Sequence, residues 1–243
     1  MCIRDSDSTA PVLSALPADL TVMCQFDIPG DPGVTATDNC GEMLTVAFMQ
    51  SPLDPCVGSG TVTNTWSVTD CAGNTTVHMQ TVTVDDTTPP VLSAMPDDLT
   101  VSCHADIPGD PGVTATDNCG ESLTVLFNQS PLGSCPGDDV ITNTWTVTDC
   151  AGNLTTYTQT ITVDDNTPPV LSAMPASITV DCLADVPGDP GITATDNCGE
   201  TLTVIFVQTT PGLCNGDDII TNTWTVLDCA GNETMHELSL IHI

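Results

Sequence analysis

Cysteine thiols are the most regularly spaced reactive groups in this sequence of 243 residues. Twelve of the 13 cysteines recur with a period of 79 residues, four in each of three repeats. The sets are Cys24, Cys103 and Cys182; Cys40, Cys119 and Cys198; Cys56, Cys135 and Cys214; and Cys71, Cys150 and Cys229. Because they lack the close CxxC pairs of structural zinc sites, their spacing favours disulfides over a zinc cluster or reduced thiols. Disulfides predict a location outside the cytosol.

Aspartates form the second group that could do chemistry. The sequence holds 32 Asp and Glu residues against one Lys or Arg, which gives a formal net charge of −31. Carboxylates contributed by several loops suit Ca²⁺, which takes about six to eight oxygen ligands. The candidate ligands are Asp27, Asp31, Asp86, Asp106, Asp110, Asp117, Asp149, Asp165, Asp196 and Asp228. The alternative is that Asp and Asn only form turns with their own backbone. No other cofactor is implied.

Catalysis and nucleic-acid binding are not favoured. The four histidines do not recur in every repeat: His104 is replaced by Gln25 and Leu183 in the other two. Arg4 is the only Lys or Arg, so the usual residues for binding phosphate or nucleic acid are missing. No apolar run approaches the roughly 18 residues of a membrane helix, so membrane insertion is not expected. The sequence therefore predicts a protein that is not an enzyme.

The two ends differ from the rest of the chain. MCIRDS can be encoded by ATG TGT ATA AGA GAC AG, and the reverse complement of those bases encodes LSLIH, as at the carboxyl end. This inverted repeat resembles sequencing-adapter DNA, so we predict that residues 1–6 and 238–243 are adapter-derived and that the remainder is a fragment of a longer protein. The predicted repeats are 7–85, 86–164 and 165–237, the third truncated before its last strand.

Short alternating segments must position these residues. In the second repeat, DLTVSC alternates apolar and polar residues with a period of two, which is typical of a strand. VLSAMP, GVTATDN, SLTVLFNQ, VITNTWTVTD and LTTYTQTITV are further strand candidates, separated by turns rich in Pro, Gly, Asp and Asn. Several short strands at regular spacing predict an all-β sandwich repeated three times.

Three motifs carry a resemblance to a known family. DTTPPVL at the start of a repeat, ATDNCG in its middle and TWTVTDCAGN before its final strand resemble the hyalin repeat family. The resemblance covers residues 7–237. It implies an immunoglobulin-like β-sandwich used in extracellular adhesion, often in tandem arrays of secreted and bacterial surface proteins.

Strand direction narrows the three disulfide pairings that four cysteines allow. If successive strands alternate up and down, Cys24 and Cys56 lie at one end of a repeat, and Cys40 and Cys71 at the other. The predicted disulfides are Cys24–Cys56, Cys40–Cys71, Cys103–Cys135, Cys119–Cys150, Cys182–Cys214 and Cys198–Cys229. The same directions predict that Asp86, Asp117 and Asp149 converge and face Asp27 and Asp31 of the preceding repeat.

Two functions fit these observations. The first is a non-catalytic structural or adhesive spacer, a stalk within a larger secreted or cell-surface protein. The alternative is a calcium-dependent module that recognises extracellular glycans or a protein surface. The repeats differ mainly at 50–60, 129–139 and 208–218 and gain no aromatic residues there, which favours the spacer. The expected partners are neighbouring repeats of the same chain, and an extracellular glycan or protein.

Overall fold

A computed structural model describes residues 7–41, 43–53, 55–180, 185–209 and 219–242. The chain is all-β, as predicted, and each of the three repeats forms one four-stranded and one two-stranded sheet. The β-branched residues that dominate the strands fit the pleated, half-buried surface of such sheets. Within the described ranges, no helix has the length and apolar character needed to cross a membrane.

Repeat 1 contains six strands and a 3₁₀ helix, Gln25–Asp27. The strands are β1 (Val12–Leu13), β2 (Leu20–Val22), β3 (Ala36–Thr37), β4 (Ala47–Gln50), β5 (Ser59–Thr69) and β6 (Thr75–Asp85). The larger sheet has the order β2-β6-β5-β4, and β1 pairs with β3. Strand β2 runs parallel to β6, whereas the β4–β5 and β5–β6 pairs are antiparallel.

Repeats 2 and 3 follow the same plan. Repeat 2 has β7 (Val91–Leu92), β8 (Leu99–Val101), β9 (Ala115–Thr116), β10 (Leu126–Gln129), β11 (Asp138–Thr148), β12 (Leu154–Asp164) and the 3₁₀ helix His104–Asp106. Repeat 3 has β13 (Val170–Leu171), β14 (Thr179–Val180), β15 (Ala194–Thr195), β16 (Val204–Gln208), β17 (Ile219–Leu227) and β18 (Glu233–His242). All six segments predicted for repeat 2 contain strands, most of them shorter than the sequence pattern.

The chain divides into two compact units that do not coincide with the repeats. The first comprises Met1–Met95, Gly112–Leu126 and Trp145–Tyr157, and the second comprises Pro96–Pro111, Phe127–Thr144 and Thr158–Ile243. The junction between repeats 1 and 2 therefore lies within the first unit, and the junction between repeats 2 and 3 lies within the second.

The core of the first unit lies between the two sheets of repeat 1. Trp66 of β5 has no exposed surface and packs with Leu13 of β1, Val34 and Val68. Phe48 of β4 lies against the same cluster, with its ring centroid 5.2 Å from that of Trp66. Burial alternates along β5, which is the period-2 pattern expected of a strand with one buried face.

The second unit contains two such clusters. Ile141, Ile161 and Val163 form one, against which Val101 and Ile107 pack. The other contains Ile220, Trp224, Leu238 and Leu240. Alternating apolar residues on the long antiparallel strands therefore supply the core of this unit as well.

A polar ladder crosses the four-stranded sheet of repeat 1. Asn64 Nδ2 donates to Gln80 Oε1 at 3.1 Å, and Asn64 Oδ1 accepts from Gln50 at 2.9 Å. Gln80 Nε2 donates in turn to the Ala18 carbonyl at 2.6 Å. Because Asn64 and Gln80 are both buried, these mutual bonds satisfy groups that water does not reach.

The last strand of repeat 3 differs from the prediction. The sequence analysis expected it to be missing, but β18 extends to His242 and pairs with β17 and β14. Leu238 and Leu240, which are 8% and 1% exposed, alternate with Ser239 and fill the buried positions of this strand. The expectation of a truncated sheet is thus wrong, because LSLIH carries the required alternation. The adapter origin of these residues stays a prediction.

Candidate functional site: the repeat junctions

Two disulfides join consecutive repeats in each unit. In the first unit they are Cys24–Cys119 and Cys56–Cys150, with Cα–Cα distances of 5.3 and 5.4 Å. In the second unit they are Cys103–Cys198 and Cys135–Cys229, at 5.1 and 5.5 Å. Each disulfide spans 94 or 95 positions, so every one of these four links two repeats.

The predicted pairing within repeats is therefore wrong. The four disulfides contradict Cys24–Cys56, Cys103–Cys135, Cys119–Cys150 and Cys198–Cys229. Cys40–Cys71 is contradicted too: in the described part of the chain no disulfide joins these two residues, and Cys40 Sγ lies 3.1 Å from Asp7 Oδ2. Cys182–Cys214 lies outside the described residues.

The prediction failed because it did not include the direction in which the cysteine sulfurs point at the end of a repeat. The segments of Cys24 and Cys56 do lie side by side, since Gln25 N donates to the Val57 carbonyl at 2.9 Å and Gln25 Nε2 donates to the Cys56 carbonyl at 2.6 Å. Both sulfurs nevertheless bond to cysteines of the following repeat. Strand directions identified the correct end of the repeat but did not reveal this direction.

The linker between repeats 1 and 2 is fixed by hydrogen bonds. Asp86 N donates to the Gly58 carbonyl at 2.8 Å, and Asn153 Nδ2 donates to the Asp86 carbonyl at 2.9 Å. Gly58 is buried, and a Cβ at that position would lie 3.1 Å from Asp86 Cβ and 3.4 Å from Ala151 Cβ. A side chain at position 58 would thus press on the linker, and it would also contact the TDCAGN loop.

The second unit repeats this linker geometry. Asp165 N donates to the Gly137 carbonyl at 2.8 Å, and Asn232 Nδ2 donates to the Asp165 carbonyl at 2.8 Å. A Cβ on Gly137 would lie 2.9 Å from Asp165 Cβ. The close approach is thus a property of the junction, and it occurs in both units.

Three aspartates converge at each junction, as the sequence predicted for repeat 2. Asp86, Asp117 and Asp149 each offer a carboxylate oxygen, and these oxygens lie within 4.8 Å of one another. Asp165, Asp196 and Asp228 form the equivalent cluster in the second unit. A related group, Asp7, Asp38 and Cys40, occurs in repeat 1, and the 79-residue period could have identified it in advance.

The remaining predicted ligands do not join these clusters. Asp31 Oδ1 accepts from Trp66 Nε1 at 2.9 Å, and this bond and one from Gly33 N hold the pKa of Asp31 below its ordinary value. Asp27 and Asp106 lie in the 3₁₀ helices, outside the clusters found among the described residues. Asp110, the counterpart of Asp31 in repeat 2, is also outside them. The sequence offered no sign that the DIPGDPG aspartate contacts the core tryptophan.

Turn formation, the alternative explanation for the aspartates, also operates. Asp70 Oδ1 accepts from Asn74 N at 2.8 Å, and Asp70 Oδ2 accepts from Asn74 Nδ2 at 2.7 Å. Burial opposes ionisation of Asp70, but these hydrogen bonds outweigh it and keep its pKa below the ordinary value. Asp149 makes the same two bonds to Asn153. Asp228 bonds to Asn232 in the same way, so one aspartate of each cluster also closes the DCAGN turn.

Tandem β-sandwiches with this cysteine pattern define the class of protein. The chain belongs to the family of HYR-like domains with 4 cysteines, which matches residues 12–84, 91–163 and 170–238. The resemblance to hyalin repeats is thereby confirmed.

Among curated proteins, the chain is similar to Hyalin of Lytechinus variegatus, with 34% identity over 202 residues. That alignment covers 76% of this chain and 35% of the relative. Hyalin of Strongylocentrotus purpuratus is 32% identical over 160 residues, covering 58% of this chain and 13% of the relative. The chain therefore spans about a third or less of these relatives.

Solved cadherin structures are also similar, at low identity. Protocadherin gammaB7 EC3-6 is 14% identical with a TM-score of 0.34, covering 96% of this chain and 77% of that structure. Human CDH23 EC21-23 is 14% identical with a TM-score of 0.34, covering 96% of this chain and all of that structure. With TM-scores this low, neither likeness informs the function.

Proposed function

We propose that this chain is a non-catalytic structural and adhesive segment of a larger extracellular protein, in which consecutive repeats act as a braced spacer. The observation that carries the proposal is the pair of disulfides at each junction. A flexible string of domains requires only a linker, whereas two bridges per junction restrict bending and twisting between neighbours.

Chemistry and family both support an extracellular location. Disulfides persist in oxidising compartments and are rare in the cytosol. The relatives named Hyalin are similar over most of the chain, which supports an adhesive array containing many such repeats. The partners proposed are the adjoining repeats of the same protein and extracellular glycans or proteins at the ends of the array.

Amide hydrogen exchange on the full oxidised chain tests the spacer. The Asp86 and Asp165 amides, which donate from each linker to a glycine carbonyl of the preceding repeat, should exchange slowly in the oxidised chain and rapidly after reduction and alkylation. Val62 and Val82, paired inside the β5–β6 ladder, supply the internal control and should exchange slowly in the oxidised chain. Rapid exchange of both linker amides in the oxidised chain would contradict a braced junction.

A binding assay tests the alternative, a calcium-dependent recognition module. The full chain is applied to an array of extracellular glycans with calcium and with chelator. A pure spacer is expected to bind none above the level of the reduced, alkylated chain. Calcium-dependent binding of one glycan class would instead favour the recognition module.

A further inference from the structure

We propose that one disulfide at each junction is a site of thiol exchange, at which a small extracellular thiol opens that bridge and leaves the other one closed. The sites are Cys56–Cys150 in the first unit and Cys135–Cys229 in the second. This inference deepens the proposed function and rests on it, because it assigns a means of regulation to the junctions that brace the spacer.

The first argument is the unequal exposure of the two bridges in the first unit. Cys150 is exposed and its partner Cys56 is half-buried. Cys24 and Cys119, which form the other bridge, are only 2% and 5% exposed. Thiol exchange requires direct attack on a sulfur, so its rate depends on access to that sulfur. The bridge at Cys150 is therefore the one that a thiol in solution reaches.

The second argument is the polar shell around the buried bridge. Asn118 Nδ2 donates to Cys24 Sγ at 3.4 Å, and Asp86 Oδ2 lies 3.1 Å from Cys119 Sγ. The Met23 carbonyl oxygen lies 3.6 Å from Cys119 Sγ. An attacking thiol would have to displace the linker to reach these sulfurs, so this bridge is protected by the junction that it closes.

The second unit repeats this contrast. Cys229 is exposed and Cys135 is half-buried, whereas in the other bridge Cys103 is only 4% exposed and Cys198 is half-buried. Asn197 Nδ2 donates to Cys103 Sγ at 3.3 Å, as Asn118 does to Cys24. Both units therefore combine one accessible bridge with one that is better shielded.

An open groove leads to each exposed bridge. In the first unit the groove has a volume of about 420 Å³, and Cys150, Glu121 and Val57 are among its lining residues. In the second unit it has a volume of about 530 Å³, and its lining includes Cys229 and Glu200. Each groove is large enough to admit a small thiol beside the exposed sulfur.

The glutamates of these grooves select the charge of the thiol. Cys150 N donates to Glu121 Oε1 at 3.1 Å, and Cys229 N donates to Glu200 Oε1 at 3.0 Å, so a carboxylate is held beside each exposed cysteine. Because the attacking species is a thiolate anion, the carboxylate repels it. An ammonium group on the thiol offsets this repulsion. The substrate class is therefore small aminothiols, with anionic thiols disfavoured.

The reaction is a single exchange step. The thiolate attacks Cys150 Sγ, a sulfur–sulfur bond forms between the thiol and Cys150, and the bond between Cys150 and Cys56 breaks. The electron pair leaves on Cys56 Sγ, which takes a proton from water. Cys229 and Cys135 take these roles at the second junction. Each junction then keeps one bridge, which acts as a pivot where two bridges had restricted bending and twisting.

Treatment of the full oxidised chain with limiting cysteamine, without denaturant, tests the order of opening. Released thiols are alkylated, and the chain is cleaved at Asp, Glu and Met for mass spectrometry. Cysteamine should appear on Cys150 and Cys229 at least about tenfold faster than on the cysteines of the shielded bridges. In denaturant, the control, all four described bridges should open at similar rates. Opening of Cys24–Cys119 first, or at an equal rate, in the folded chain would overturn the proposal.

The selection of charge is tested with cysteamine and the anionic thiol mercaptoethanesulfonate, compared at equal thiolate concentration. Cysteamine should open the exposed bridges faster. Glu121→Gln with Glu200→Gln should reduce the ratio of the two rates by about three- to tenfold, because each carboxylate is removed while an oxygen that accepts from the backbone is kept.

The matched control for charge is Asp19→Asn with Asp98→Asn. These aspartates accept from Thr81 N and Thr160 N within the sheets and line neither groove, so the ratio should stay as in the unsubstituted chain. An unchanged ratio in the glutamine variant, or an equal reduction in this control, would overturn the assignment of aminothiols.

Hydrogen exchange tests the regulation and keeps it separate from the spacer. In the chain opened only at its exposed bridges, the Asp86 amide should exchange faster than in the oxidised chain, because its acceptor Gly58 lies close to Cys56 along the chain. It should exchange more slowly than in the fully reduced chain. Unchanged exchange would overturn the regulatory role. The spacer is tested on the chain that has met no thiol, so either proposal fails without the other.

Discussion

Inside repeat 1, a fully buried tryptophan packs between two sheets with aliphatic side chains. At the junction that follows, the buried side chains are Cys24, Cys119, Asp86 and Asp149. Burial of apolar side chains stabilises the interior, and any strand with alternating apolar and polar residues can supply it. The junction is stabilised instead by disulfides and hydrogen bonds between specific residues. Hydrophobic alternation can therefore specify a repeat, but it cannot specify how one repeat joins the next.

The largest effect is expected in the interior. Trp66→Ala should destabilise repeat 1 by about 3–5 kcal/mol, because it leaves a large cavity in the sandwich. Urea denaturation of the oxidised chain, followed by circular dichroism, measures the change in midpoint. Phe26→Ala is the control: Phe26 is 70% exposed, so its loss should change stability by less than about 0.5 kcal/mol. Equal midpoints for the two variants would show that the core is not where the structure places it.

Removing one junction disulfide comes next. Cys24→Ser with Cys119→Ser should cost about 2–5 kcal/mol and accelerate exchange of the Asp86 amide. Asp165 at the second junction, where Cys103–Cys198 is retained, serves as the control and should be unchanged.

Peptide mapping of the unsubstituted chain under non-reducing conditions checks the pairing itself. Residues 7–237 contain no Lys or Arg, so cleavage must use Asp, Glu or Met. A peptide joining Cys24 to Cys56 would contradict the structure and restore the pairing within repeats.

A smaller effect is expected from the polar ladder. Gln80→Leu removes the acceptor of buried Asn64 Nδ2 and should destabilise repeat 1 by about 1–3 kcal/mol, measured by urea denaturation. Repeat 3 carries Leu238 at the equivalent position. The double variant Asn64→Leu with Gln80→Leu should recover part of the loss, because no unpaired amide remains. Identical stability of single and double variants would mean that the ladder contributes nothing.

The close approach at the junction predicts a loss of about 1 kcal/mol for Gly58→Ala, because the new Cβ would press on Asp86 Cβ. Exchange of the Asp86 amide should accelerate while the β5–β6 ladder is unaffected. Gly30→Ala is the matched control, since a Cβ there meets no atom within 4 Å. If both substitutions behave alike, the junction is looser than described.

The smallest effect is expected from the pH dependence of stability. The folded-state pKa of Asp31 is below its ordinary value of 3.8, mainly because Trp66 Nε1 donates to its carboxylate. Its contribution to stability is therefore present above pH 3.8 and is lost as the pH falls through the lowered pKa. Asp31→Asn should show a smaller loss of stability than the unsubstituted chain between pH 5 and pH 2, measured by urea midpoints. An equal loss would exclude a role for this carboxylate.

The strands were predictable from sequence because alternation is a local property. In β5, Val62, Trp66 and Val68 occupy the buried face and alternate with Thr and Ser residues. The convergence of Asp86, Asp117 and Asp149 was also predictable, since strand directions place their loops at one end of the repeat.

The disulfide pairing was not predictable in the same way. Each repeat carries cysteines at the same positions. The sequence is therefore as consistent with a Cys24–Cys56 disulfide as with a Cys24–Cys119 disulfide. Only the direction of each sulfur separates the two pairings, and that depends on backbone angles at the end of a repeat. The bond between Asp31 and Trp66 escaped prediction for a related reason, since it joins residues 35 positions apart.

The overlapping bridges have a consequence for a chain under tension. The shortest covalent path from Cys24 to Cys229 runs through the first bridge to Cys119, along the backbone to Cys135, and through the last bridge. At about 3.3–3.6 Å per extended residue, and with the two bridges included, this path reaches only roughly 65–70 Å, compared with roughly 700 Å for the same span without bridges. A pulling force would therefore pass through the two disulfides and the short backbone segment between them, and most of the strands of the array could not be drawn out.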